Sequence, residues 1–390
     1  MSDRPLKIGV IAGEVSGDLL GGDLVAALRR QTDRPVELVG VGGEALQRQG
    51  LVSLFDFSEL SIMGLSQVLA RLPLLLKRIR QTADAIVAAR PDVLIIIDSP
   101  DFTHRVARRV RKILPGMPVV NYVCPSVWAW KAERAPRMRA YVDHVLALLP
   151  FEPAVMERLA GPPTTYVGHR LVTDEDVGHV RAARSRRAAA ESKTCLLLPG
   201  SRGGEIKRLL PVFGQAAEEL HARNSAVRFL LPTVPRQERL VRHLTAGWTV
   251  QPEITVTPGE KWAAFAEADA AIAASGTVIL ELALAGVPVV SAYKVDWLVK
   301  LMTSRIRIWT AALPNLIADY AVVPEYVNEV VRPGSLTRWF ERLSTDTLQR
   351  AAMLQGFDTV HDRMRTARPP GETAAAVVLD LLHKTKPGRI

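Results

Sequence analysis

The sequence predicts an α/β protein of two domains, each built on a parallel sheet with helices on both faces. Three observations carry the prediction. Short apolar runs recur along the chain, most of them followed by a glycine-rich or polar break and then by apolar residues at helical spacing. One run, Val93 to Ile97, is apolar at every position, which marks a parallel strand covered on both faces. The chain has 390 residues, beyond the roughly 250–300 at which a single core stops growing. The expected division is 1–180, 190–345 and a helical tail over 346–390 that, by analogy with similar folds, crosses back to the first domain or swaps between subunits.

In the first half, Lys7 to Ala12 reads as a buried strand that breaks at Gly13-Glu14-Val15-Ser16-Gly17-Asp18. This is a Rossmann-type first turn without the GxGxxG fingerprint, because Glu14 and Val15 stand where a pyrophosphate-binding turn needs glycine; that argues against NAD. Glu14, Ser16 and Asp18 suit sugar hydroxyls, or serve only as a turn and an N-cap. Val36 to Val41 is the second strand. The segment from Leu60 to Arg80 is apolar and basic, too short and too charged to span a bilayer; it fits an interfacial contact or a core helix with a solvated basic face. Pro91 to Asp98 is the central strand. Asp98 is the first polar side chain at its carboxyl end, where open sheets build active sites, so it suits either a general base or a helix cap. Val119 to Val123 leads into Pro125-Ser126-Val127-Trp128-Ala129-Trp130, whose tryptophans form a sugar or acyl platform or pack the loop. His144 to Leu149 and Thr165 to Val167 are further strands, and a polar interdomain connection is expected between Thr173 and Lys193.

The second half repeats the rhythm with strands at Thr194–Leu198, Arg228–Leu231, Ile254–Val256, Ala270–Ala273 and Val287–Ser291. The first ends in Pro199-Gly200-Ser201-Arg202 and the fourth in Ala274-Ser275-Gly276-Thr277, each opening a helical pattern. Helix N-termini favour anions, so the pair reads as a nucleotide diphosphate site or as two ordinary turns. Glu281 lies one helical turn past Thr277, placed to accept from a ribose diol. Asn315, after a basic stretch with Lys300, Arg305 and Arg307, is positioned to present its amide to the nucleotide. The last stretch, from Leu336, is helical.

The net charge is +10, from 50 basic against 40 acidic residues, which points to nucleic acid, anionic lipid or a phosphorylated substrate as partner. Nucleic acid is set aside, since aromatics are not interleaved with the basic runs. Two cysteines, Cys124 and Cys195, form no metal-ligand cluster and suit a reducing compartment. The N-terminus shows no secretory signal, and no apolar run approaches the roughly 20 residues of a membrane span.

Taken together, the Gly13–Asp18 turn, Ile97-Asp98-Ser99-Pro100-Asp101-Phe102, the Tyr122–Trp130 loop, Leu198–Arg202, Ala274–Thr277 and Leu313-Pro314-Asn315-Leu316 resemble the lipid-A-disaccharide synthase family, in order from residue 7 to residue 330. The chain departs from the family pattern at Gly168-His169-Arg170, Asp319-Tyr320-Ala321 and Asn328. The resemblance implies a GT-B glycosyltransferase fold, two Rossmann-like domains facing across a cleft. It implies metal-independent transfer, with no cofactor, of 2,3-diacylglucosamine from its UDP-linked form (UDP-2,3-diacylglucosamine) to 2,3-diacylglucosamine 1-phosphate, giving the β-1′,6-linked tetraacyl disaccharide 1-phosphate and UDP. The setting it implies is the cytoplasmic face of the inner membrane of a Gram-negative bacterium, on an anionic lipid surface, as monomer or homodimer. Carried over residue by residue, it puts the base on Asp98 and the donor on Ser201, Arg202, Ser275, Gly276, Thr277, Glu281 and Asn315. Acceptor and sugar contacts are expected from Gly13, Glu14, Ser16, Gly17, Asp18, Ser126 and Trp128. Membrane contact is expected from Val68, Leu69, Leu72, Leu75, Leu76, Lys77 and Arg78. Two alternatives stand beside it: another UDP-sugar enzyme of the same architecture, which would not depend on acyl chains, and a non-catalytic lipid-surface binding protein, which would release no UDP.

Overall fold

The structure, a computed structural model, describes residues 4–60, 65–185, 192–295 and 308–384, without the side chains of 65–71. Lys300, Arg305 and Arg307 lie outside the described residues, as do the side chains of Val68 and Leu69. The chain forms two compact units, Met1–His169 with Thr366–Ile390, and Arg170–Arg365.

The first unit is a six-stranded parallel sheet in the order β2-β1-β3-β4-β5-β6, with β1 Leu6–Ala12, β2 Val36–Val41, β3 Val93–Ile97, β4 Val119–Tyr122, β5 His144–Ala147 and β6 Thr164–Tyr166. Strand side chains alternate between faces, so each strand feeds two cores. Ile8, Val10, Val93, Ile95 and Ile97 point to a core closed by α1 (Val15–Gln31) and by the last helix of the chain, Pro370–Lys384, through Leu24, Leu28, Ala374 and Val378. Ile11, Leu94 and Ile96 point to the other core, closed by α3 (Leu65–Ala89) and α4 (Pro100–Ile113) through Ile79, Ile86, Val106 and Val110. The short helices α2 (Glu44–Arg48), α5 (Arg134–Met138) and α6 (Glu152–Arg158) complete this part.

The second unit opens with α7 (Glu175–Ser185) and holds a second parallel sheet, β12-β11-β10-β7-β8-β9. Its strands are β7 Thr194–Leu198, β8 Arg228–Pro232, β9 Glu253–Thr255, β10 Ala270–Ala274, β11 Val289–Tyr293 and β12 Glu325–Val327. Among the described residues the remaining helices are α8 (Gly203–Arg223), α9 (Glu238–Thr245), α10 (Pro258–Glu267), α11 (Thr277–Ala285), α12 (Leu313–Ala318), α13 (Pro333–Ser344), α14 (Leu348–Met364) and, returning to the first unit, α15 (Pro370–Lys384). Helices α8, α9 and α13 pack together, as do α7, α10, α11 and α14, giving one group for each face.

Eleven strands lie within two residues of their expected positions. The twelfth, β12, was not expected. The polar connection is corrected: much of it is α7, whose Arg181 and Arg184 cap carbonyls of the second unit. Arg181 donates to Leu284 O at 3.1 Å and pairs with Asp358, and Arg184 donates to Gly286 O at 2.9 Å and to Ala268 O. Among the described residues no helix is long and apolar enough to cross a membrane.

Candidate active site

In an open parallel sheet, a crevice opens at the carboxyl ends of two adjacent strands whose connections leave in opposite directions. In the first unit this point lies between β1 and β3, because the chain steps outward from β1 to β2 and resumes at β3 on the other side. The loops after these two strands touch: a Cβ at Gly13 would come within 2.3 Å of the Ser99 side chain, so only glycine lets them meet. Asp98 stands at this junction, half-buried. Its φ is 53° and that of Ser99 is 45°, two successive left-handed residues without a glycine, each costing about 1–2 kcal/mol. The turn is held by Ser99 N–H donating to Asp98 Oδ1 at 2.7 Å and by Thr103 Oγ1 donating to the Asp98 carbonyl at 2.7 Å. Strain retained at a strand end is characteristic of functional sites. Val123, at the end of β4, also has a positive φ, 78°.

Of the residues expected at the sugar, Glu14, Ser16 and Ser126 are exposed. Asp18 is corrected: it is 4% exposed, and its carboxylate accepts from Gly43 N at 2.7 Å, Ala45 N at 2.8 Å and Leu46 N at 3.2 Å. It caps α2. Gly17 is a packing position too, its α-carbon lying against Ile97. Trp128 is half-buried, edge-on to Phe151, and its Nε1–H donates to Glu152 at 3.3 Å. Glu152 Oε2 also accepts from Leu148 N and Leu149 N at 3.1 and 3.0 Å. Burial pushes the Glu152 carboxyl up to about 7, against the pull of these donors.

The second unit obeys the same topology. From β7 the chain moves out to β8 and β9 and returns to β10 on the other side of β7. The loops at that reversal are those singled out in the sequence, Pro199–Arg202 and Ser275–Thr277. Gly200, at φ 100°, lies so close to β10 that its Cβ would stand 3.5 Å from that of Ala274. These loops open α8 and α11, so two sets of unbonded helix N–H groups converge beside the exposed Ser201, Arg202, Gly276 and Thr277 and the half-buried Ser275. Arg202 is 71% exposed at its side chain and reaches back to Glu205 at 3.0 Å, leaving most of its guanidinium edge to solvent. Glu281 is half-buried and accepts from Lys261 Nζ at 3.0 Å. Asn315 is corrected: it is 2% exposed, its Nδ2 donates to Thr310 Oγ1 and Val323 O at 3.0 Å each, and its Oδ1 accepts from Val322 N and Val323 N at 2.8 and 2.7 Å. The amide is consumed in holding the segment that enters β12.

On α3, Leu72 and Leu76 are exposed, 39% and 49%, and Lys77 is exposed beside them. Leu75 and Arg78 depart from the expectation. Leu75 packs onto the core with Ile79, four residues on. The Arg78 guanidinium bonds Glu59 at 2.7 and 2.8 Å and lies 4.6 Å over the Phe55 ring, so its charge is neutralised within the fold.

The sequence reading passed over a basic cluster on the elements after β3 and β4: Arg105 and Arg108 from α4, and Lys131, Arg134 and Arg137 from the loop and helix after β4. Their three-residue spacing is the signal that both stretches carry. Among the described residues no three His, Cys, Asp or Glu side chains gather as a metal site requires.

A sequence profile of lipid-A-disaccharide synthetase matches residues 8–362. The lipid-A-disaccharide synthase of Nitrobacter winogradskyi is 48% identical over 384 residues, covering 97% of this chain and 96% of that protein. Among solved structures, the kitacinnamycin glycotransferase superposes with a TM-score of 0.58 at 17% identity, over 99% of this chain and all of that one. The Staphylococcus aureus MnaA–UDP structure does so at 0.58 and 13%, over 97% and 96%. At these identities the structures speak for the fold alone, that of the GT-B glycosyltransferases and related epimerases. The sequence match is of another order, spanning nearly every element described above: the chain belongs to the lipid-A-disaccharide synthase family of enzymes.

Proposed function

We propose that the chain transfers 2,3-diacylglucosamine from UDP to the 6-hydroxyl of 2,3-diacylglucosamine 1-phosphate, forming the β-1′,6-linked disaccharide 1-phosphate of lipid A biosynthesis. The observation that carries the reading is that each unit places family motifs where its own strand order reverses: the Gly13–Asp18 turn and Asp98 in the first, and paired helix N-termini with an arginine in the second.

An inverting transfer needs a base for the attacking hydroxyl and stabilisation for the departing diphosphate. Asp98 takes the proton of the acceptor 6-hydroxyl as that oxygen attacks the donor C1. The C1–O bond to UDP breaks, and the charge left on the diphosphate is met by Arg202 and by the backbone N–H groups opening α8 and α11. These donors supply the role a metal fills elsewhere, so the reaction proceeds without one. Support for work at the cytoplasmic face of the inner membrane comes from the exposed leucines of α3 and the chain's positive charge.

The test is UDP release by the purified protein from UDP-2,3-diacylglucosamine in detergent micelles containing EDTA, with and without the acceptor. Release that requires the acceptor and survives EDTA is expected. Bound UDP without release would hand the site to a different UDP-sugar reaction; release abolished by EDTA would overturn the metal-independent mechanism.

A further inference from the structure

The first unit holds a cavity of about 520 Å³ whose lining begins with Pro100 and Asp101 at the start of α4, two residues after Asp98 in the chain. Five cationic side chains line it, Arg105, Arg108, Lys131, Arg134 and Arg137, against two carboxylates, Asp101 and Glu133. Asp101 is 88% exposed and reaches Arg134 only at 3.9 Å, so solvent screens that pair and the wall stays positive.

The wall is also built, not merely charged. Arg108 donates to Tyr141 Oη at 3.1 Å and stacks 4.6 Å over its ring. Asn121 gives its Nδ2 to the Val123 carbonyl at 3.0 Å, so its Oδ1 is the atom that faces His104 Nε2, and the neutral ring accepts the Tyr141 hydroxyl proton on Nδ1 at 3.0 Å. His104 then carries its own proton on Nε2, which donates to Asn121 Oδ1 at 3.2 Å. One directed chain therefore runs from the cavity wall to the strained end of β4. Burial pushes His104 down to about 4, in keeping with the neutral ring this chain requires.

A concave site lined by several guanidinium groups, one of them held in place, suits phosphate. In the acceptor the 6-hydroxyl and the anomeric phosphate are carried from C5 and C1, the two carbons that flank the ring oxygen of one pyranose. A 6-hydroxyl at Asp98 leaves the phosphate about a ring's width away, and the cavity wall begins two residues after Asp98 in the chain. We propose that this cavity seats the acceptor's anomeric phosphate, with Arg105, Arg108 and Arg137 binding the phosphate monoester while the sugar reaches back to Asp98. The proposal rests on the synthase reading above and adds to it the group that selects the acceptor.

The test compares kcat/KM for 2,3-diacylglucosamine 1-phosphate with that for 2,3-diacylglucosamine lacking the phosphate. Arg105 and Arg137 are exposed, so Arg105→Gln/Arg137→Gln is expected to fold. Each lost charge-assisted contact is worth about tenfold in binding. The double variant should lower the preference for the phosphorylated acceptor about 100-fold, through KM for the acceptor, with UDP affinity unchanged. Arg105→Lys/Arg137→Lys should recover part of it. An unchanged preference in an active double variant would overturn the proposal and leave the synthase reading standing, whereas a wild-type protein inactive on both acceptors would remove that reading itself. Sedimentation with phosphatidylglycerol vesicles separates the other source of phosphate. Equal vesicle binding by wild type and variant supports the proposal; loss of vesicle binding with the acceptor preference intact would make the cavity a headgroup site and overturn it.

Discussion

At Asp98 two successive left-handed residues turn a carboxylate out of the end of a buried strand. Asparagine has the same shape and the same tolerance for that backbone, so Asp98→Asn removes the base and little else. Turnover is expected to fall about 10²–10⁴-fold, with UDP affinity by calorimetry unchanged; near-normal turnover would remove Asp98 from the role of base. Asn315 makes the opposite kind of prediction. Asn315→Ala strands the buried N–H groups of Val322 and Val323 and should cost about 2–4 kcal/mol, seen as a lowered Tm, while the folded variant keeps its UDP affinity. Lost UDP affinity at an unchanged Tm would restore the direct contact read from the sequence. Glu152 adds a pH dependence. Its carboxyl holds a proton in the folded state up to about pH 7, whereas the unfolded chain releases it near 4.5. Its contribution is therefore fully present below about 4.5 and declines by about 3 kcal/mol as pH rises to about 7. His104 slopes the other way, because the unfolded chain gains a proton below about 6.5 that the buried ring refuses until about 4. The two oppose each other over their shared range. Glu152→Gln should expose the slope of His104 together with that of His144, whose pKa burial also lowers, so that the urea midpoint climbs from pH 5 to pH 6.5; a flat profile in the variant would overturn the assignment. Asp98 was legible because it is the first polar residue after five apolar ones. The partners of Asp18 and Asn315 come from segments 25 and 7 residues distant and leave no mark in their own neighbourhoods.

Among the elements, strands were legible where burial makes them apolar and helices where one face is. Helix α3 shows why: Leu75, Ile79, Ala83 and Ile86 recur at three- and four-residue intervals and turn to the sheet, which leaves Leu72 and Leu76 on the far side. If that far side meets lipid, Leu72→Gln/Leu76→Gln should lower partitioning onto anionic vesicles about tenfold or more without changing the circular dichroism, since half-burying each leucine contributes about 1 kcal/mol. Equal sedimentation with vesicles would exclude this helix as the contact. Helix α7 escaped the sequence reading because its buried residues are only Val177 and Val180, and its arginines, which look like a solvated run, are spent on carbonyls. Strand β12 escaped because three residues, Glu325-Tyr326-Val327, carry no apolar run; its place comes from pairing with β11. The basic cavity escaped for a related reason, since its two stretches meet only once β3 and β4 are neighbours.

For the whole molecule, the same device is used twice: a doubly wound sheet whose reversal point brings two loops together. The units differ in how they are assembled from the chain. The second is one continuous stretch, whereas the first needs its last helix, α15, which buries Ala374, Ala375, Val378 and Leu382 against α1 and the sheet. Removing residues 366–390 strips about 4–8 kcal/mol of apolar burial from the first unit, comparable to the whole stability of a domain. The truncated protein should lose protease resistance in 1–169 while 170–365 stays resistant; resistance in both would show that α15 is dispensable. This closure by the last helix also orders events on the ribosome. Residues 1–169 emerge first, yet their core stays open until the final segment is made, roughly 220 residues and ~10–45 s later at bacterial elongation rates. The second unit can complete itself in that interval. The part synthesised first is thus finished last, and for that time its uncovered sheet face is the surface that a nascent-chain chaperone would have to shield.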